Sequence, residues 1–125
     1  MLQGIKKLLK ANSLLFAILV TITITVLSLI KLGSQPIHFT YIDKVEHAIA
    51  YMTLSFFWLL KYGITKVYKI FIIVICIMFG MFIEVLQSTT SYRTFDLVDM
   101  IANAIGVVMG YLIFENFIKK KNLIN

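Results

Sequence analysis

Glu84-Val-Leu-Gln-Ser-Thr-Thr-Ser-Tyr-Arg-Thr-Phe-Asp-Leu-Val-Asp99 is the stretch on which the fold turns. It holds Glu84, Asp96, Asp99 and the single arginine, Arg93, in a chain of 125 residues that is 60% hydrophobic and only 14% charged. Before it, Ile70–Ile83 carries no charge; after it, Leu97–Phe114 is apolar except for Asp99 and Asn103. A soluble domain carries about 25% charged residues. A hydrocarbon core of about 30 Å asks for about 20 mostly apolar residues in a helix. The stretch therefore reads as the polar connection between two membrane helices. Working outward, Ala11–Ile30 is free of charge, and Val45–Leu60 is apolar after Glu46 and His47. The expectation is an all-α polytopic membrane protein, a bundle of four transmembrane helices over about 11–31, 43–62, 67–89 and 96–117, in a single domain spanning 1–125. It leaves no room for a soluble catalytic domain.

The net charge of +6 belongs to this topology and not to nucleic acid. Lys6, Lys7 and Lys10 precede the first helix, Lys61, Lys66 and Lys69 join the second to the third, and Lys119, Lys120 and Lys121 follow the fourth. Lys31, Lys44 and Arg93 are the cations of the other side. Cytoplasmic connections carry the excess of Lys and Arg. Both termini are thus expected in the cytoplasm, with the 1–2 and 3–4 connections outside, in a bacterial inner membrane. The apolar run of the first helix exceeds the 7–15 residues of a signal peptide, and no small-residue cleavage site follows, so an uncleaved helix is expected. Cys76 is alone and mid-helix, a small packing residue without a disulfide partner. No metal-type cysteine spacing, phosphate-binding glycine loop or nucleophile elbow occurs. Pro36 falls in the outer 32–42 connection, and the tight 2–3 connection makes the second and third helices antiparallel neighbours.

This topology gathers most of the acids at the outer side. Asp43 and His47 are four residues apart and share a helix face, which Tyr51 continues one turn deeper. Glu84, Gln87 and Ser88 share a face of the third helix. Asp96, Asp99, Asn103, Gly106 and Gly110 run down one stripe of the fourth, which reads as the central helix. Polar groups at membrane depth turn toward the bundle interior or water, so the three stripes predict one polar cluster open to the outside. Structural roles compete residue by residue. Asp43-x-x-Glu46 and Asp96-x-x-Asp99 fit helix capping. Glu84 fits an ion pair with Arg93 or Lys44, and Asn103 an interhelical hydrogen bond. Ala102, Gly106 and Gly110 form a small-x-x-x-small packing row, against another helix of the chain or in a homodimer.

In order along the chain, Asp43-Lys44-x-x-His47-x-x-x-Tyr51, Glu84-x-x-Gln87 and Arg93-x-x-Asp96-x-x-Asp99-x-x-x-Asn103-x-x-Gly106-x-x-x-Gly110 resemble the VanZ-like family of bacterial membrane proteins. The resemblance covers about 43–110. It implies a small multi-helix membrane protein linked to resistance to the glycopeptide teicoplanin, with Asp43, Lys44, His47, Tyr51, Glu84, Gln87, Arg93, Asp96, Asp99 and Asn103 as the ligand-binding set. Three functions fit. One is binding or handling of a cell-envelope lipid or lipid-linked glycan, with Arg93, His47 and Lys44 holding an anionic group by charge-assisted hydrogen bonds. The second is an intramembrane enzyme with His47, Glu84 and Asp99 as the catalytic candidates. No cofactor is expected for the first; a divalent cation held by the acids would suit the second. The third is a structural subunit or small transporter locked together by the cluster.

Overall fold

A computed structural model of the chain describes residues 2–30, 40–89 and 97–124, with the side chains of 40–43 and 120–124 outside that description. Five helices follow in order: α1 (Leu2–Ala11), α2 (Ser13–Leu29), α3 (Thr40–Tyr62), α4 (Lys66–Ser88) and α5 (Leu97–Ile124). The described residues are all helix and short connections, so the all-α class holds.

The boundaries differ from expectation in three places. The helix expected over 11–31 is α2, and a further helix, α1, precedes it and meets it at 66°. Asn12 Nδ2 donates to the Leu8 carbonyl at 2.9 Å, and Ser13 Oγ donates to the Lys10 carbonyl at 2.8 Å. Side-chain bonds of this kind compete with the helical ladder, and here they sit at the break. Apolar Leu2, Ile5, Leu8 and Leu9 occupy one arc of α1, and Lys6, Lys7 and Lys10 the opposite one. Second, α3 begins at Thr40, so Asp43-x-x-Glu46 lies inside its first turns and is not a capping box. Third, α5 runs to Ile124 over 28 residues, about 42 Å at 1.5 Å per residue and longer than a hydrocarbon core. The start of α4 is conventional: Thr65 caps it by accepting from the Tyr68 amide at 3.2 Å.

Among the described residues, α4 and the Leu97–Lys119 part of α5 are long and apolar enough to cross a membrane, and α1 with α2 counts as a third crossing if the bent pair is one broken span. The outward faces are apolar: Phe71, Met78 and Phe82 on α4, and Ile101, Ile105 and Leu112 on α5, are all exposed. A soluble monomer rarely exposes contiguous apolar patches above a few hundred Å².

The centre of the bundle is α3, not the last helix. It packs on α2, α4 and α5. It runs parallel to α5, with Lys44 opposite Asp99, His47 opposite Asn103 and Ser55 opposite Val107. The small-residue row makes this approach close. A Cβ on Gly106 would strike the Ala48 carbonyl, and one on Gly110 would strike Ser55 Oγ and the Met52 carbonyl. The row is thus filled within the chain, and Ser55 Oγ donates across it to the Val107 carbonyl at 3.0 Å. α4 returns antiparallel beside α3 through the short turn after Tyr62, as expected. Ile24, Tyr51, Leu54, Cys76 and Val107 form the mid-bundle core. Leu59, Leu60 and Phe114 form a second core, onto which Leu9 of α1 and Phe117 pack. Around this second core lie the lysines: Lys6 Nζ stands 5.2 Å from the Phe117 ring, and Lys69 Nζ bonds Glu115 at 2.7 Å. One end of the molecule is therefore lysine-rich and the other carries the polar cluster.

Candidate functional site

The site is built on three helices, and the parallel register of α3 and α5 creates its first part. Lys44 Nζ forms an ion pair with Asp99 Oδ1. The second Asp99 oxygen, Oδ2, stands 3.7 Å from His47 Nε2. His47 Nδ1 lies 2.9 Å from Asn103 Oδ1. With the amide oxygen in that position, Nδ1–H donates and Asn103 accepts, which fixes the ring's orientation and directs Nε2 at Asp99. Asp99 lies in the first turn of α5, where the helix dipole favours an anion. The side chains of Lys44, His47 and Asp99 are 18%, 14% and 10% exposed. The chain of contacts therefore reaches the surface at its outer edge and is buried at Asn103.

The second part comes from α4. Gly80 brings this helix close: a Cβ there would sit 3.1 Å from Tyr51 Cε1 and 3.2 Å from Asn103 Cβ. Glu84 lies one turn further along the same face, and both Glu84 and Tyr51 are almost completely buried. The Tyr51 hydroxyl, within electrostatic reach of Glu84, makes no hydrogen bond among the described residues. A buried polar group left in this state costs about 1–3 kcal/mol. Such a group is a place where a ligand or a water gains a bond.

Of the ten residues the sequence singles out, Lys44, His47, Tyr51, Glu84, Asp99 and Asn103 converge where α3, α4 and α5 meet. Gln87 is buried but turned to α2, donating from Nε2 to the Ser28 carbonyl at 3.0 Å. Ser88, expected on the Glu84 face, is exposed, and its Oγ bonds the Val85 carbonyl at 2.6 Å. Arg93, Asp96 and the side chain of Asp43 lie outside the described residues. No three His, Cys, Asp or Glu side chains are grouped as around a metal ion among the described residues. Gly80 was not singled out from sequence; its signal was its place one turn before Glu84, the only acid inside α4.

A helical bundle with helices long and apolar enough to cross a membrane and a largely buried Lys–Asp–His–Asn chain at one end is the class this arrangement defines. The chain belongs to the VanZ/LLP1 family, whose description it matches over residues 3–119. It is also similar to an uncharacterized protein of Schizosaccharomyces pombe, 34% identical over 73 residues. That match takes in 57% of this chain and 45% of the yeast protein, so the chain spans less than half of that relative's length. No solved structure matches the chain.

Proposed function

We propose that this protein crosses the membrane with α2, α3, α4 and α5 and uses the polar cluster to bind a cell-envelope lipid or lipid-linked glycan from the outer side. The lysines around Leu59, Leu60 and Phe114 support an orientation with that end, and both termini, in the cytoplasm. The amphipathic α1 then lies along the membrane surface, its leucines and isoleucine in the acyl boundary and its lysines toward headgroups. The observation that carries the binding reading is the buried Tyr51 hydroxyl, without a hydrogen-bond partner among the described residues, beside Glu84 and under a Lys44–Asp99–His47–Asn103 chain that opens at its edge. A purely structural lock would close its own hydrogen bonds. Lys44 and His47 suit a phosphate or carboxylate, and Glu84, Asp99 and Asn103 suit sugar or glycerol hydroxyls. Through the family, such a ligand ties the protein to glycopeptide resistance, by altering how the drug's target is displayed.

The orientation of His47 by Asn103 favours a second reading, an intramembrane enzyme in which His47 is the general base beside Asp99 and Glu84. A divalent cation in that reading would draw on Asp43 and Asp96 as well. The test is thermal stability of the detergent-purified protein against a panel of envelope lipids, wild type beside Tyr51→Phe. Binding raises the melting temperature of the wild type for one lipid class, and Tyr51→Phe keeps the fold but loses that increment. Equal shifts for every lipid in both proteins would refute it. Release of a modified lipid would select the enzyme.

A further inference from the structure

The polar cluster occupies one end of the bundle; the other half carries an apolar groove between α2, α3 and α4 that no part of that reading uses. Its volume is about 420 Å³, within the range of small-molecule pockets, about 300–1,000 Å³. Leu54, Trp58, Ile72, Cys76 and Phe79 wall it. In its wall the Trp58 Nε1–H is already taken, donating to Thr21 Oγ1 at 3.0 Å, and the tyrosine hydroxyls stand at the mouth. Deeper than that mouth the groove offers an apolar occupant dispersion contacts and a polar one little.

Its length and its mouth say which apolar occupant. From Phe79 to Tyr68 along α4 is eleven residues, roughly 16 Å at 1.5 Å per residue, and half of a hydrocarbon core of about 30 Å is nearly the same. The groove thus runs from mid-membrane to one interface. At that interface stand Tyr62 and Tyr68, 44% and 56% exposed, the amphipathic rings that settle at headgroup level. Lys61 and Lys66 are exposed at the same mouth, and Lys61 Nζ stands 5.9 Å from the Tyr62 ring. The side of the groove is open to the surroundings at Phe71 and Ile75, both exposed, so a chain can enter laterally from lipid. A partner helix fits less well, because the groove has no row of small residues. The row that exists, Gly106 and Gly110, is filled by α3.

We infer that this groove holds one acyl chain of an anionic glycerophospholipid, with its headgroup against Lys61 and Lys66, in the leaflet at the lysine-rich end. The inference needs α2 to α4 to cross the bilayer but not the polar cluster to bind anything.

Trp58 is the only tryptophan of the chain and lines the groove, so its fluorescence reports the occupant. The protein is reconstituted in phosphatidylcholine vesicles containing a small mole fraction of acyl-brominated lipid. The brominated lipid is either phosphatidylglycerol or phosphatidylcholine with the same chains. Bromine quenches on contact, so bulk lipid gives equal quenching for both headgroups. The expected result is several-fold stronger quenching by the brominated phosphatidylglycerol, because added lysines near anionic headgroups raise local lipid occupancy. Lys61→Gln with Lys66→Gln removes the excess. Ile75→Phe, which narrows the opening from an exposed position, lowers quenching by both lipids. Lys44→Gln at the polar cluster leaves the excess in place. Equal quenching by the two headgroups in the wild type overturns the inference, as does loss of the excess in Lys44→Gln. In the latter case the lipid reaches Trp58 from the polar cluster instead.

Discussion

A single added methyl tests the α3–α5 register most sharply. The glycines give a graded series. A Cβ on Gly4 would meet nothing within 4 Å; one on Gly80 would come to 3.1–3.3 Å of Tyr51 and Asn103 side-chain atoms; ones on Gly106 and Gly110 would collide with α3 backbone carbonyls. Backbone cannot turn aside as a side chain can, so in Gly106→Ala the two helices must part by roughly 1 Å. A gap of about that size forfeits a quarter to a half of each contact's dispersion energy. Overpacking of this kind costs about 1–3 kcal/mol. Weakening the Ser55–Val107 bond adds about 0.5–1.5 kcal/mol. Alanine's better helix propensity gives back about 0.8–1.0 kcal/mol. The net expectation is a loss of about 2 kcal/mol for Gly106→Ala, within a span of about 0.5–3.7 kcal/mol, the same or more for Gly110→Ala, about 1 kcal/mol or less for Gly80→Ala, and no loss for Gly4→Ala. Reversible unfolding in mixed micelles, followed by helical circular dichroism, measures all four. A neutral Gly106→Ala would refute the parallel α3–α5 packing and, with it, the alignment of Lys44 with Asp99 and His47 with Asn103.

Other expectations follow from the same contacts. A reporter fused after Asn125 should report from the cytoplasm, and an external signal would invert the outer assignment of the polar cluster. Asp99→Ala removes the carboxylate that pairs with the largely buried Lys44 ammonium and should cost about 3 kcal/mol or less, given the 18% exposure of Lys44; unfolding in the same micelles reads it. Lys69→Ala should change stability by about 1 kcal/mol or less, because its bond to Glu115 is partly exposed, and that small effect should shrink further at high salt.

The helices and their order were legible because apolar runs bounded by lysines leave few alternatives. The glycine row was legible because Ala102, Gly106 and Gly110 repeat every four residues on a single face. Part of what escaped is local, and part was decided by contacts between segments far apart in sequence. The helix before Asn12 escaped because Lys6, Lys7 and Lys10 read only as the charged flank of the apolar run that follows. The start of α3 was misplaced because Asp43-x-x-Glu46 has the spacing of a capping box, and spacing does not distinguish a cap from a first turn. At the cluster, stripes on separate helices named the residues, but a stripe does not say which neighbour it faces. Gln87 therefore shared the Glu84 face on paper and is turned to Ser28 in space. Trp58 and Thr21 meet across 37 positions of sequence, which no local pattern announces.

Replacing the ion pair as a whole bears most directly on the polar cluster as a binding site. In Lys44→Met with Asp99→Leu, both charges go together. Exchange of a largely buried pair for packed apolar groups is often neutral, or stabilising by about 1–4 kcal/mol, so the double variant should fold. Native mass spectrometry then compares it with the wild type, each purified from membranes in mild detergent. A defined lipid mass bound at the wild-type cluster and absent from the folded double variant is the expected result. A lipid held in the α2–α4 groove stays on both proteins; if no further lipid mass is lost from the double variant, the result contradicts a lipid site at Lys44, His47 and Asp99 and leaves the cluster as a lock between helices.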